Sequence, residues 1–274
     1  MRREISVLVP TPAYSRLTGP LTYETEEEVQ VGCLVRVPLG QRDTLGLVWH
    51  QAPEQPQTSS PTLKTIHSVL HGIPPLSANW LKLIEFAAHY YQRSAGEFAM
   101  ACLPPSLRDM TALQFERKLL RLKPLATVSA ETALAPALTP EQTQVLTQLA
   151  QQTGPFLLHG NTGSGKTEVY LRRAALLLED SPQAQVLLLV PEINLTPQLE
   201  ARVRQRFAHL GDTAIVAMHS AMTPAQRLNS WLAAHLGTAR IVLGTRLAVL
   251  ASMPELKLIV VDEEHDPSYK QQEG

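Results

Sequence analysis

The sequence predicts an α/β chain in two parts: a doubly wound parallel sheet from residue 139 onward, preceded by a small β-rich module over residues 1–105. Three observations carry this expectation. From residue 139, stretches of helical length separate most of a series of short apolar runs: Phe156–His159, Val186–Val190, Ala214–Met218, Ile241–Leu243 and Leu258–Val261. Near-continuous Val/Ile/Leu runs mark strands covered on both faces, and their spacing demands crossover connections, hence a parallel sheet. Before residue 105 the β-formers instead alternate or cluster between Pro, Gly and charged turns. Between these regions, residues 106–138 hold a basic run (Arg117, Lys118, Arg121, Lys123), read as a solvated helix face. They continue as Ala/Thr/Pro-rich sequence of linker composition.

In the first module, Ile5–Val9, Leu34–Val37 and Leu45–Trp49 are the expected strands, with a turn at Gly40-Gln41-Arg42-Asp43. After the Pro/Gln/Ser stretch from Pro53 to Pro61, the spacing predicts an amphipathic helix over Ala78–Tyr91. Its core face is Trp80, Leu83, Ile84, Ala87 and Tyr91. Packing under the β module is the expected use of Tyr90 and Tyr91, with base stacking as the alternative.

Length and charge narrow the function classes. At 274 residues the chain is long enough for two domains, each with its own core. Lys and Arg number 24 against 25 Asp and Glu, which excludes a chain that holds nucleic acid by bulk positive charge; any phosphate binding must be local. Cys33 and Cys102 lie far apart and cannot build a four-ligand zinc site, so they are expected as buried thiols in a reducing cytosol. The apolar runs are strand-sized, and the run after Met1-Arg2-Arg3 is too short for a signal segment, so a soluble cytoplasmic protein without membrane partners is expected.

The sharpest motif is Gly160-Asn161-Thr162-Gly163-Ser164-Gly165-Lys166-Thr167, a complete GxxxxGK[ST] between an expected strand and an expected helix, Glu168–Leu178. Glycines let backbone N–H groups curl round a β-phosphate, and the helix N-terminus adds partial positive charge. Lys166 reaches the β- and γ-phosphates, and the Thr167 hydroxyl ligates Mg²⁺. Gly160, Thr162, Gly163, Ser164, Gly165, Lys166 and Thr167 are therefore the expected nucleotide residues. The run Leu258–Val261 ends in Asp262-Glu263-Glu264-His265, an acidic pair at the carboxyl end of a buried strand. There Asp262 suits the Mg²⁺ shell and Glu263 the orientation and deprotonation of an attacking water. Upstream, Thr139-Pro140-Glu141-Gln142 opens a helix. The Gln142 amide matches the donor and acceptor of an adenine edge and favours ATP, against the reading of a Thr cap with an incidental Gln.

Two further strand ends carry polar residues suited to the phosphates of a single strand: Val190–Gln198, with Thr196, and Leu243-Gly244-Thr245-Arg246. His219-Ser220, ending another run, reads as a structural or switch element.

The order of these motifs resembles that of the superfamily 2 helicases. Their wording, from Gly160 through Glu168-Val169-Tyr170, through Val190-Pro191-Glu192-Ile193 with Leu195-Thr196-Pro197-Gln198, to Asp262-Glu263-Glu264-His265-Asp266 with Ser268-Tyr269-Lys270-Gln271, resembles the PriA-type replication-restart helicases, the family of primosomal protein N′. Val35-Arg36-Val37-Pro38-Leu39-Gly40 and Gly46-Leu47-Val48 are similar to that family's domain for the 3′ end of a nascent strand. The resemblance implies a RecA-like first helicase lobe over 139–274, incomplete at its C-terminal end, behind a 3′-DNA-end-binding domain over 1–105. It implies ATP and Mg²⁺ as cofactors and Lys166, Thr167, Asp262, Glu263 and Gln142 at the nucleotide. Gly40 and Lys64 fall where the family lines its pocket for the terminal nucleotide. Forked and single-stranded DNA, primosome proteins and single-stranded-DNA-binding protein are the implied partners, and an ATP-driven 3′→5′ DNA helicase at abandoned forks the implied activity.

Three departures shape the expectation. Leu21-Thr22-Tyr23 stands where the family has Phe-Asp-Tyr, which removes an acidic contact to the 3′-hydroxyl. Residues 106–138 are too few for the winged-helix domain that usually follows. The second motor lobe, its arginine finger and the zinc-binding cysteines lie outside the 274 residues, so the chain is expected to bind ATP and hydrolyse it weakly. Two other readings stand beside this one, a non-hydrolysing ATP- and DNA-binding module and the first lobe of another P-loop DNA translocase.

Overall fold

The computed structural model describes residues 2–11, 19–50, 63–122, 136–161, 163–191 and 197–270. These form two compact units, the first comprising Met1–Lys123, Ser220–Leu236 and Leu250–Pro254, the second Pro124–His219, Gly237–Val249 and Glu255–Gly274.

Unit 1 is built on strands β1 (Arg3–Leu8), β2 (Leu21–Thr25), β3 (Leu34–Leu39), β4 (Arg42–Trp49), β5 (Lys64–Thr65) and β6 (Ser68–Val69), in the order β5-β2-β1-β4-β3-β6. Neighbours run antiparallel except β2 and β5. The β3–β4 hairpin turns tightly at Gly40 and Gln41, with Gly40 at φ +63, where only glycine is unstrained. One face buries Val7, Val9, Tyr23, Val35, Val37 and Val48. Opposite Val35 in the ladder sits Gly46, where a Cβ would run into the Val7 side chain. Arg36 is buried, and its guanidinium is fully used: it pairs with Asp43 at 2.7 Å and donates to the carbonyls of Asp43 and Arg108. Free Cys102 is partly buried, and burial pushes its thiol up to about 12.

Helix α1 (Ala78–Tyr90) starts where the Ser77 side chain accepts from the Trp80 amide, and it buries Trp80, Leu81, Ile84, Ala87 and Ala88. The expected core face is thus rotated slightly, and Tyr91 leaves it. Tyr91 terminates the helix at ψ 4, so helical spacing no longer governs its side chain, which stands 58% exposed. Tyr90 is exposed too. Instead of packing under the sheet, Phe86, Tyr90, Tyr91 and Phe98 form a surface row of rings with successive centroids 6.0, 5.1 and 6.0 Å apart. Phe98 comes from α2 (Ala95–Cys102), capped by Ser94.

The segment expected as linker opens with ordered structure. Helices α3 (Pro105–Asp109) and α4 (Ala112–Leu119) occupy it, α4 begins with a Thr111/Gln114 capping box, and Leu107 and Phe115 are completely buried. One apolar residue per turn suffices to dock so short a helix, too few to register as a period. Arg117 and Lys118 lie in its last turn. The helix Pro224–His235 also belongs to unit 1: His235, 1% exposed, donates from Nε2 to the Pro74 carbonyl and receives Ser252 at Nδ1, each at 2.9 Å.

Unit 2 contains α5 (Pro140–Gln151), α6 (Lys166–Asp180), β7 (Gln185–Leu189), α7 (Pro197–Arg206), β8 (Ile215–Met218), β9 (Ile241–Gly244) and β10 (Leu256–Val261). Its four strands pair in the order β10-β7-β9-β8, all parallel. Central β7 is buried throughout, and Leu171, Ala174 and Leu178 of α6 pack on Val186, Leu188, Ile241 and Leu243. Buried Arg240, at the foot of β9, donates to the carbonyls of Leu178, Ser181 and Ala184 and so closes the C-terminal end of α6.

One expected strand is not formed. Residues Phe156–His159 lie outside the ladder, with Phe156 47% and Leu157 84% exposed. Among the described residues β10 has a neighbour on one side only, and Ile259 and Val261 of β10 are exposed as well. A four-residue apolar run gains strand structure only from a backbone partner. No helix among the described residues is long and apolar enough to cross a membrane.

Candidate functional site

The candidate site lies in unit 2, where the loop before α6 meets the carboxyl end of β10. Gly165 ends the loop at φ +84 and is the residue from which α6 starts, and Gly163 is left-handed too, at φ +83. At Gly165 the left-handed backbone demands glycine, and a Cβ there would also displace the Gln142 amide. The 15 residues of α6 bring their unpaired N-terminal amides and positive dipole end to this loop. Lys166 is folded over the loop, its Nζ donating to the Gly160 carbonyl at 2.7 Å and to the Asn161 carbonyl at 3.2 Å. Those two acceptors hold the ammonium in the loop's concavity, where phosphate oxygens would compete for it. Thr162 lies outside the described residues.

Gln142 combines its two readings. It forms a capping box with Thr139, receiving the Thr139 amide on Oε1 at 3.0 Å, and its Nε2 reaches the Gly165 carbonyl at 3.5 Å. The residue that caps α5 therefore also borders the phosphate loop.

Asp262 is gripped on every side. Its amide donates to Leu189, its carbonyl accepts the Tyr269 hydroxyl at 2.8 Å, Oδ1 accepts the Glu263 amide at 3.1 Å and Oδ2 accepts the Tyr170 hydroxyl at 3.0 Å. Burial, then the Asp262 charge, holds the Tyr170 phenol far above its ordinary value; burial, then Asp262, Asp266 and Glu263, does the same to Tyr269. Glu263 adopts φ +48, an unfavourable left-handed backbone for a non-glycine, at the residue expected to act as base. Its carboxylate is 40% exposed and faces His265 at 3.5 Å. Buried Glu168, in the first turn of α6, pairs with Arg206 of α7 at 3.0 Å and with Arg172 at 3.4 Å.

The donor set fits Mg²⁺. A Thr hydroxyl and a carboxylate are hard oxygen ligands, and this ion takes one or two such groups while keeping waters and phosphates for its other positions. Among the described residues no cluster of three His, Cys, Asp or Glu is present, as such a site requires none.

The expected DNA residues divide. Lys64 Nζ reaches the Gly40 carbonyl at 3.5 Å, so the structure brings those two together at the β3–β4 turn. Thr22, in β2, pairs with Ser6 in the ladder. At the end of β9, Gly244 and Thr245 are buried: a Cβ on Gly244 would meet Ala248, and Thr245 donates its amide to Met218. Their packed surroundings make them positioning elements for the turn and leave Arg246 as the exposed group, its guanidinium donating to the Lys270 carbonyl at 3.2 Å. Thr196 and the preceding residues from Glu192 lie outside the described residues. Tyr170 was not among the expected site residues. Its signal in the sequence is its place three residues after Thr167, on the same helix face.

Two family models divide the chain as its composition does. The 3'DNA-binding domain (3'BD) model matches residues 6–104, and the DEAD/DEAH box helicase model matches 139–274. Curated relatives match across both regions. The replication restart protein PriA of Helicobacter pylori (strain ATCC 700392 / 26695) is 34% identical over 254 residues, covering 92% of this chain and 36% of its own length. That of Synechocystis sp. is 36% identical over 247 residues, covering 84% and 28%. The chain belongs to the PriA family.

The matched models describe a 3'DNA-binding domain and a DEAD/DEAH box helicase, and the relatives are replication restart proteins. The chain spans about a third of the length of these relatives. The PriA of Haemophilus influenzae aligns at 30% identity over 341 positions, more than the 274 residues available, so that alignment carries long gaps.

Proposed function

We propose that the chain is the N-terminal part of an ATP-dependent 3′→5′ DNA helicase that recognises stalled replication forks and initiates primosome assembly. In this reading residues 1–105 bind the 3′ end of a nascent strand, with Gly40 and Lys64 lining the terminal-nucleotide pocket. Residues 139–274 are the first motor lobe, and 106–138 form the connecting segment, too short for a winged-helix domain. Forked and single-stranded DNA, primosome proteins and single-stranded-DNA-binding protein are its cytoplasmic partners.

The observation that carries the proposal is the convergence of the Gly163–Thr167 loop, Gln142 and the Asp262-Glu263 pair within unit 2. The Lys166 ammonium exchanges the Gly160 and Asn161 carbonyls for the β- and γ-phosphates, and the amides at the start of α6 take the remaining phosphate charge. Thr167 and Asp262 hold the divalent ion, which supplies charge neutralisation across the phosphates when bound. Glu263 orients the attacking water and takes its proton. Arg246 contacts a strand phosphate. By themselves these residues bind Mg-ATP and hydrolyse it weakly.

The test is ATP binding and hydrolysis by the purified chain, with and without forked DNA bearing a free 3′ end, using Lys166→Ala as the blank. The expected result is nucleotide binding that Lys166→Ala abolishes, with slow turnover. Binding with no turnover on any DNA favours the non-hydrolysing module. Equal nucleotide affinity in wild type and Lys166→Ala overturns the assignment.

A further inference from the structure

Tyr170 sits one helical turn after Thr167 on α6, which places the two side chains on one face. Its hydroxyl donates to Asp262 Oδ2 at 3.0 Å across a separation of 92 residues. The hydroxyl therefore fixes one of the two oxygen ligands expected to share a divalent cation, from the helix face that carries the other. The opposite carboxylate oxygen, Oδ1, is held by the Glu263 amide at 3.1 Å, so the carboxylate is fixed at both ends. Each oxygen keeps a lone pair for a further partner. The Tyr170 ring packs against the buried cluster of Leu171, Val186 and Leu188, which sets where the hydroxyl lies. The phenol stays protonated, because burial and the neighbouring negative charge both oppose its ionisation.

We propose that Tyr170 is a positioning residue that holds the Asp262 carboxylate in place for a divalent cation shared with Thr167, so that the ion enters a prepared site. The inference rests on the nucleotide-site reading above. Supporting groups of this kind orient metal ligands, and their loss typically costs about 10- to 100-fold in metal affinity. Tyr170 reaches only one carboxylate oxygen, and the Glu263 amide continues to hold the other, so its effect belongs at the lower end of that range.

The experiment compares wild type and Tyr170→Phe in the full chain by Mn²⁺ titration in the presence of ADP, read by electron paramagnetic resonance, and by ADP affinity in EDTA. Tyr170→Phe is expected to weaken Mn²⁺ binding about tenfold while leaving metal-free ADP affinity unchanged. Asp262→Asn should weaken Mn²⁺ further, and adding Tyr170→Phe to it should cost nothing more, because the tyrosine acts through that carboxylate. Unchanged Mn²⁺ affinity in Tyr170→Phe, or additive losses in the double variant, overturns the inference. A wild-type measurement needs no variant: with ring-labelled tyrosine, the Tyr170 resonance should shift when Mg²⁺ joins ADP, and a stationary resonance also counts against it. Absence of ADP binding by wild type would instead sink the nucleotide-site reading itself, so the two failures are distinguishable.

Discussion

The two units hold their candidate sites by opposite means. In unit 1 Gly40, which accepts from Lys64 of β5, turns an antiparallel hairpin whose register is fixed by a paired ladder, a valine-rich core and the bridge from buried Arg36 to Asp43. The nucleotide loop of unit 2 is not continued from a strand of the sheet. Its form comes from two left-handed glycines, the start of α6 and the bonds made by Lys166 and Gln142. Stability in the first is a property of burial, in the second of local backbone geometry, and mutations should separate the two.

All three tryptophans, Trp49, Trp80 and Trp231, fall in unit 1, so intrinsic fluorescence reports its unfolding alone. The largest separation is expected from Arg36→Leu. It leaves the Asp43 and Arg108 carbonyls without their partner, while the exposed Asp43 carboxylate keeps His67 at 2.9 Å, and should lower the stability of unit 1 by about 2 kcal/mol, read as a fall in the urea midpoint of fluorescence, with ADP affinity unchanged. Gly165→Ala should do the reverse. A Cβ at φ +84 against the Gln142 amide strains the loop by roughly 1–2 kcal/mol, lowering nucleotide affinity about tenfold without moving the fluorescence transition. If either variant shifts both readouts, the units are coupled and the contrast fails.

The smallest effect is pH-dependent. Burial lowers the pKa of His235 in the folded chain, while the unfolded chain protonates near the ordinary 6.5. Between those values the unfolded chain binds the extra proton, so the contribution to unit 1 is full above about 6.5 and is lost as pH falls through and below it. The fluorescence-monitored urea midpoint should therefore drop on acidification from about pH 7.5, and His235→Asn should flatten that slope. An equally steep slope in the variant would assign the pH dependence to other groups.

What was legible in the sequence follows the same division. The runs at Leu34, Leu45, Val186, Ile241 and Leu258 became strands because each is apolar on both sides of the chain and long enough to pair. Strand β2, Leu21–Thr25, escaped notice because its polar residues alternate on a half-buried sheet, and β5 and β6 are two residues long. The expected strand at Phe156–His159 failed for want of a ladder partner, a property of the surroundings and not of those residues. The glycines, Lys166 and Asp262 stand out in the sequence because their spacing is the one phosphate chemistry asks for. Tyr170 was hidden because its partner Asp262 is 92 residues away, and only folding brings them together. The linker composition concealed Leu107 and Phe115, single anchors whose burial no periodicity announces.

Arg240 carries a consequence for the order of assembly. Its bonds to the end of α6 join residues 56 to 62 positions apart in the chain, so they form only after β9 has docked beside β7. Contacts of that span come late, since the intervening loop must close first. Until then the helix that begins with Lys166 has open carbonyls at its far end and frays there. The far end of the helix that carries Lys166 is thus anchored by a long-range contact, completed only when the strand that carries Arg240 is in place.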